Sequence, residues 1–391
     1  MQNFTYDIPT KVFFGEGQIE QLPGLIAKFG KRVLLTYGGG SIKRNGLYDK
    51  VKELLSDCEL YELSGIDPNP RIESVRQGAT LCKEHQIDVV LAVGGGSTID
   101  CSKVIAASAK YDGDAWDLVQ DSSLIKDALP LIDILTLSAT GTEMNTGAVI
   151  TNFETKDKSG TGAYVMYPYA SICDPTYTFT VPHNQTAAGT ADIMSHTFEI
   201  YFNHEPDVFV QDRMAEGILE ACIHYLPIAL KEPDNYEARA NLMWASTLAL
   251  NGLTRMGRNG AWTCHPIEHM LSAYYDITHA VGLAILTPRW MAYCLNDATV
   301  ERFAMYANRV WKIAYQDDLY AMAKEAIEKT YQFFVDAEMP MTLPEVAIDT
   351  EHFDEMAERV APRLTKSYVP LDKAAVIAIL EDCMTPGVTY H

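Results

Sequence analysis

The sequence predicts an α/β domain built on a parallel sheet over residues 1–182, followed by an all-α domain over residues 183–391. Three observations carry this. Short apolar runs alternate with amphipathic segments through the first half, and strands that are apolar along their length belong to a parallel sheet covered on both faces. Strand signals stop after Pro182, and the segments beyond it have helical period. Glycine clusters close two of the apolar runs and open the helices that follow. At 391 residues the chain is long enough to bury a large core in two domains.

In order, the expected strands are 32–37, a weaker one around Leu60 and Tyr61, 88–93, 133–137 and 170–174. Amphipathic helices are expected at 19–29, 42–55, 72–85 and 98–107, and residues 148–151 read as part of an added hairpin. Beyond Pro182 the helices are 186–202, 209–230, 236–250, 281–295, 300–314, 319–336, 351–360 and 373–384, with a connector at 341–348. The boundary falls between 175 and 185, and there is no internal repeat.

A net charge of -21 disfavours nucleic acid and anionic membrane surfaces, and neither is expected as a partner. No apolar run approaches the ~20 residues of a membrane span. Met1 to Phe14 lacks a basic start followed by an apolar core, so a cytoplasmic location is expected. The eight cysteines contain no Cys-x-x-Cys spacing and read as reduced thiols rather than a disulfide framework.

Asp192 and His196 stand four apart, so on a helix they share one face, one turn from each other. His265 and His269 repeat that spacing, and His279 follows. On one straight helix His279 would lie ~21 Å from His265 at ~1.5 Å per residue. A turn at 275–278 therefore has to fold the chain back, with Thr278 as N-cap of the next helix. One oxygen and two or three nitrogens then converge, a donor set suited to Fe(II) or Zn(II) rather than Ca(II) or Mg(II). A single pair of this kind is more often a structural histidine than a ligand pair. Two pairs and a third histidine, set among Met194, Phe198, Trp262, Met270 and Leu271, would be buried and need a charge partner. Cys264 adjoins His265 but has no required part, because His and Asp suffice.

Gly94-Gly95-Gly96-Ser97 ends one strand and opens a helix, with Asp100 and Lys103 on its first turns. Glycines let a backbone approach phosphate, and a helix N-terminus offers N–H groups and a positive dipole end. The spacing is neither Gly-x-Gly-x-x-Gly nor a P-loop, so a tight strand-to-helix turn explains it equally well. Gly38-Gly39-Gly40-Ser41 ends an earlier strand, followed by Lys43 and Arg44. No acid stands there to take the ribose hydroxyls, which favours NADP(H) over NAD(H). A solvated loop is the plain alternative. Thr136 to Glu143, rich in hydroxyls, is a third and weaker candidate, since such clusters are usually turns.

These motifs (Tyr37-Gly-Gly-Gly-Ser-Ile-Lys43, Gly94-Gly-Gly-Ser97 with Asp100 and Lys103, Leu137-Ser-Ala-Thr-Gly-Thr-Glu143, and Asp192-x-x-x-His196 with His265 and His279) resemble those of the iron-containing (group III) alcohol dehydrogenases. The similarity runs over nearly the whole chain and is strongest to the NAD(P)H-dependent butanol dehydrogenase-like branch. It implies a Rossmann-like nucleotide-binding domain at 1–182, an all-helical metal-binding domain at 183–391, an active site in the cleft between them, and a homodimer. It further implies metal ligands at Asp192, His196, His265 and His279, with His269 a nearby non-ligand that helps proton transfer. By the same resemblance the pyrophosphate meets Gly95, Gly96 and Ser97, and the adenosine end meets Gly38, Gly39, Gly40, Ser41 and Asn69. The nicotinamide side meets Thr136, Ser138, Thr140, Asn145 and Lys158. Two features depart from the family pattern: Ala280 follows His279 where glycine is usual, and residues 364–371 match no pattern.

The expected activity is a metal-dependent, NADP(H)-linked alcohol dehydrogenase or aldehyde reductase acting on short- to medium-chain primary alcohols and aldehydes such as butanol and butanal. An NAD(H)-preferring butanol dehydrogenase is the alternative. A dehydroquinate synthase-like lyase would need a basic cluster for an acidic substrate, and only Arg255 and Arg258 lie near the histidines in sequence. A non-catalytic metal-binding protein would leave the glycine clusters idle.

Overall fold

The structure is a computed structural model and describes residues 1–205 and 207–391. Six strands form one all-parallel sheet: β1 (Lys11–Phe14), β2 (Arg32–Tyr37), β3 (Glu59–Leu63), β4 (Val89–Gly94), β5 (Leu131–Leu135) and β8 (Ala170–Cys173), in the order β1-β8-β5-β4-β2-β3. β6 (Gly147–Asn152) and β7 (Asp157–Gly162) make a separate antiparallel hairpin. The sheet helices are α1 (Leu22–Ile26), α2 (Ser41–Arg44), α3 (Leu47–Leu54), α4 (Ile72–Glu84), α5 (Gly96–Ser108) and α6 (Ala115–Gln120). The later helices are α7 (His183–Tyr201), α8 (Phe209–Lys231), α9 (Tyr236–Leu250), α10 (Cys264–Tyr275), α11 (His279–Tyr293), α12 (Val300–Arg309), α13 (Leu319–Asp336), α14 (Phe353–Val360) and α15 (Lys373–Asp382).

Alternation along the central strands builds the two apolar layers. Val33, Leu35 and Tyr37 of β2, with Val89, Leu91 and Val93 of β4, bury into one layer. Leu34, Val90 and Ala92 bury into the other, beside Val75 of α4 and Val104 of α5. Both faces are covered, as continuous apolar strands require. From β2 the chain steps outward to β3, then returns to the other side of β2 for β4, β5 and β8. The strand order therefore reverses between β2 and β4, where open parallel sheets bind ligands at their carboxyl ends.

Several expected bounds shift for local reasons. The helix expected at 42–55 is broken at Gly46, whose φ of 82° no helix accommodates. The helix expected at 19–29 shrinks to a 3-10 turn and α1. β1 is four residues long, too short to show a period, and α6 announces itself only by the capping box of Asp114 and Asp117. α10 ends at Asp276 (φ 53°), and Thr278 takes the N-cap position of α11 without a side-chain capping bond.

The residues group into two compact units that differ from an uninterrupted 1–182 and 183–391 division. One contains residues 7–181 together with 232–251; the other contains 1–6, 182–231 and 252–391. α9 belongs with the sheet, because Met243 is fully buried in the layer of α4 and α5 and the Thr247 hydroxyl donates to the buried Glu143 carboxylate (2.5 Å). All eight cysteines are unpaired. Among the described residues no helix is long and apolar enough to cross a membrane.

Candidate functional site

In the helical unit, α7 carries Asp192 and His196, α10 carries His265 and His269, and α11 begins at His279. Three imidazole Nε2 atoms approach one carboxylate oxygen, Asp192 Oδ1: His196 at 3.6 Å, His265 at 3.7 Å and His279 at 3.9 Å. Donors at the corners of a tetrahedron with ~2.1 Å bonds stand ~3.4 Å apart, so each imidazole-to-carboxylate distance is close to what a cation shared by the pair would set. Asp192, His265 and His279 form one compact trio, with donor atoms all within 4.8 Å of one another; Glu268, His269 and His279 form a second that shares His279 and lacks the Asp192 oxygen on which three imidazoles converge. His196 reaches Asp192 but stands outside both trios; its ring stacks on His265 at 4.6 Å. Asp192 Oδ1 and His265 Nε2 are buried without any hydrogen-bond partner among the described residues. A buried acceptor and a buried ring nitrogen left facing each other beyond hydrogen-bond reach are what a cation between them would satisfy.

The electrostatics agree. Burial alone would raise the Asp192 carboxyl, but His196, His265 and His279 hold it well below the usual carboxylate range. Burial pushes His196 down to about 4, which favours the neutral ring, the form a metal requires. Burial also works against a proton on His265, but Glu199 and Asp192 outweigh it and raise that imidazole to about 9. The two carboxylates thus favour positive charge at His265, which a cation on its Nε2 would supply in place of a proton.

Two functional residues escaped the sequence reading. Glu199, one turn past His196 on α7, has its Oε1 3.2 Å from His265 Nδ1 and accepts the backbone N–H of His265 (2.8 Å) and of Thr263 (3.0 Å). Glu268, on α10, contacts His279 Nδ1 through Oε2. A carboxylate on Nδ1 leaves Nε2 as the ligating nitrogen. The only trace in the sequence is spacing, since each Glu lies three residues beyond a candidate His. His269 is partly buried, with its ring 5.4 Å from that of His279 and 6.3 Å from that of His265. Trp262 sets its edge against His196 and His265. Cys264 is fully buried, and burial pushes its thiol well up, away from the ligating thiolate. Arg258 is buried in an ion pair with Asp212 (3.0 Å), so no basic cluster for an acidic substrate forms from Arg255 and Arg258.

In the sheet unit, the three polar turns follow three adjacent strands, β5, β4 and β2. Gly95 is the N-cap of α5 and no side chain caps that end, which leaves the first N–H groups, beside Ser97, for an anion. Gly94 and Gly96 also have an internal cause. A Cβ at Gly94 would meet Thr98 Oγ1 at 2.5 Å, and one at Gly96 would meet Thr140 Oγ1 at 2.4 Å. Gly38 backs onto the Ile66 carbonyl, while Gly39 and Gly40 face open space ahead of the exposed Ser41. Thr136 donates its N–H to the Gly94 carbonyl and extends the β4–β5 pairing; Ser138 and Thr140 follow in the same loop, partly buried. Asn69, at φ 54°, accepts from Lys158 Nζ (2.9 Å), and both are buried.

Asp100 and Asn145 do structural work inside the fold. The Asp100 carboxylate accepts from Thr142 Oγ1 (2.6 Å) and the Val149 N–H (2.9 Å). Asn145 accepts from Lys103 Nζ (3.1 Å) and the Gly147 N–H (2.8 Å) and donates to the Gly141 carbonyl (2.9 Å). Lys103 is fully buried and also donates to the carbonyls of Thr142, Asn145 and Gly147. It ties the 142–147 turn to α5, with burial lowering its ammonium to about 8.

A family model described as iron-containing alcohol dehydrogenase matches residues 9–175, and one described as Fe-containing alcohol dehydrogenase family, C-terminal, matches residues 186–384. The chain is 56% identical over 361 residues to NADH-dependent butanol dehydrogenase A of Clostridium acetobutylicum, covering 92% of this chain and 93% of that protein. It is 41% identical over 357 residues to NADPH-dependent aldehyde reductase YqhD of Escherichia coli, covering 89% and 90%. The crystal structure of NADH-dependent butanol dehydrogenase A from Thermotoga maritima is similar at a TM-score of 0.93 and 38% identity, over 98% of this chain and 99% of that one.

Proposed function

The chain belongs to the iron-containing alcohol dehydrogenase family, and from that premise we propose an NADP(H)-linked, divalent-metal-dependent alcohol dehydrogenase, working as an aldehyde reductase on short- to medium-chain substrates such as butanal. The observation that carries the reading is the orphaned Asp192 oxygen ringed by three imidazole Nε2 atoms. Asp192, His265 and His279 would hold the cation, with His196 completing the set. When bound, the cation supplies Lewis acidity towards the substrate oxygen and the nicotinamide supplies or takes up the hydride. Glu199 keeps the Nε2 of His265 turned inward by engaging its Nδ1. His269 exchanges the proton of the substrate oxygen with solvent. The uncapped start of α5 at Gly96 and Ser97 would bind the pyrophosphate. Thr136, Ser138, Thr140, Asn69 and Lys158 would border the rest of the nucleotide, while Asp100 and Asn145 position the loop rather than touch it.

The cofactor preference rests on the β2 turn. Gly39, Gly40 and Ser41 leave room for a 2′-phosphate, and Lys43 and Arg44 supply positive charge. Glu62 on the neighbouring strand is already engaged by the hydroxyls of Tyr37 and Tyr48 (both 2.8 Å). Purified enzyme assayed with butanal and each cofactor, before and after stripping with a chelator, tests the whole reading. Activity with NADPH exceeding that with NADH, lost on stripping and restored by Fe(II) or Zn(II), is expected. Full activity in metal-free protein would defeat it. The reading also takes the enzyme as cytoplasmic, which its unpaired thiols support, and as a homodimer, which the family resemblance implies and sedimentation checks.

A further inference from the structure

We propose that Glu268 is a positioning residue that sets the direction of His279 and, through it, the cation affinity of the site; this rests on the reading that Asp192, His265 and His279 hold a cation. Glu268 is fully buried, and a carboxylate in that position is costly unless its oxygens are engaged. Its Oε1 accepts from the hydroxyl of Ser272, one turn on along α10, and its Oε2 contacts His279 Nδ1 across the α10–α11 packing. With Nδ1 engaged, Nε2 is the nitrogen left to ligate, and it stands 3.9 Å from Asp192 Oδ1.

Gly282 makes the arrangement possible. It lies one turn after His279 on α11, and a Cβ there would stand 2.7 Å from Glu268 Cγ and 3.1 Å from Oε1. The missing side chain is the space the carboxylate occupies. Gly282 has ordinary helical φ, so the need for glycine is one of volume and not of backbone conformation. Glu199 braces His265 in the same way, whereas His196 Nδ1 is buried with no hydrogen-bond partner among the described residues. The three imidazoles thus sit among three carboxylates, Asp192, Glu199 and Glu268. A dication leaves that group one charge negative, which favours retention of the cation and disfavours anionic substrates.

Full-length protein stripped of metal is titrated with Co(II), read by its visible absorption and by competition with a chelator, for wild type, E268Q, E268A, G282A and the E268A/G282A double variant. Thermal melts of the metal-free forms report folding. E268A and G282A are expected to lose about 10–100-fold in Co(II) affinity with an altered spectrum. E268Q is expected to keep the wild-type spectrum and to lie within about 10-fold, since its amide oxygen still accepts from Nδ1. In the E268A background G282A should cost much less than in wild type, because its tightest clash is with Glu268 and the other neighbour, Ile277 Cδ1 at 3.0 Å, is the end of a side chain that can shift. Wild-type affinity and spectrum in E268A, or full additivity of the two losses, overturns the proposal while leaving the cation reading intact. Absence of Co(II) binding by wild type overturns both.

Discussion

At the scale of single residues, His269 is the sharpest test of the chemistry. It lies outside the Asp192, His265 and His279 trio but groups with Glu268 and His279, and its ring is 5.4 Å from that of His279, near enough for a proton path through one water. His269→Ala should lower kcat by ~10²-fold or more, the scale of general acid–base assistance. Metal content by atomic spectroscopy should stay at the wild-type level. A fall in metal content would make His269 a ligand instead. Residue-scale legibility divides by burial. Helical spacing paired Asp192 with His196, a turn before His279 was required to bring it back towards His265, and the family resemblance joined the four. Glu199 and Glu268 were not readable, since a glutamate at helical spacing is ordinarily a solvated surface group, and only packing shows that these two are buried. Asp100 and Asn145 hold internal bonds that spacing does not announce. Polar residues after a glycine turn look like ligand contacts, yet fully buried Lys103 needs acceptors and takes Asn145 among them.

At the scale of elements, the glycine turn after β4 joins sequence to binding through space rather than flexibility. Gly96→Ala would put a methyl group where Thr140 now stands, at a cost of ~1–3 kcal/mol in overpacking. The 136–142 loop would have to move, so NADPH should bind ~10–100-fold more weakly by fluorescence titration. Co(II) uptake should be unchanged, since the cation ligands lie on other elements. Elements whose signal is carried by several consecutive apolar residues, such as β2 and β4, were placed almost to the residue. Those depending on one backbone angle or a partner strand, such as the break at Gly46 and the edge strand β1, were not. The starts of β2 and β4 are joined by Asp88. Its Oδ2 accepts the N–H groups of Lys31 (3.1 Å) and Arg32 (3.0 Å), and its Oδ1 accepts from Arg32 Nη2 (2.6 Å). The hydrogen bond from the Arg32 side chain, more than any other influence, holds this carboxyl down to about 2. A depressed folded-state pKa means stability that is present above pH 3.8 and lost as the pH falls towards 2. In urea unfolding at stepped pH, Asp88→Asn should therefore be less stable than wild type at neutrality, with the gap closing across that window. A gap independent of pH would show that Asp88 carries no such linkage.

At the scale of the molecule, the sheet unit is discontinuous in sequence: the chain leaves it at 181 and returns for residues 232–251. Composition places a boundary where strands give way to helices, but composition reports what an element is, not what it packs against. α9 is helical, like the chain on either side of it, and still completes the sheet unit. Met243 enters the apolar layer, Trp244 meets Phe14 edge-on at 5.6 Å, and Thr247 supplies a hydroxyl to Glu143. Glu143 is wholly buried, with Oε2 already lacking a partner and its carboxyl raised by that burial. Losing Thr247 would leave the group with neither oxygen accepting from a hydroxyl, at ~1–3 kcal/mol, and losing Met243 would open a cavity costing ~2–5 kcal/mol. Together these approach the whole stability of an ordinary domain, ~5–15 kcal/mol. A fragment of residues 1–181 should accordingly show no cooperative thermal transition and should bind a hydrophobic dye. The same fragment carrying residues 232–251 on a flexible glycine–serine linker should regain a single transition. In the full chain, Met243→Ala should lower stability by ~2–5 kcal/mol in urea while leaving Co(II) uptake unchanged. A cooperative melt of the unextended fragment would establish the compositional boundary as the physical one and reduce α9 to a passenger on a sheet that folds without it.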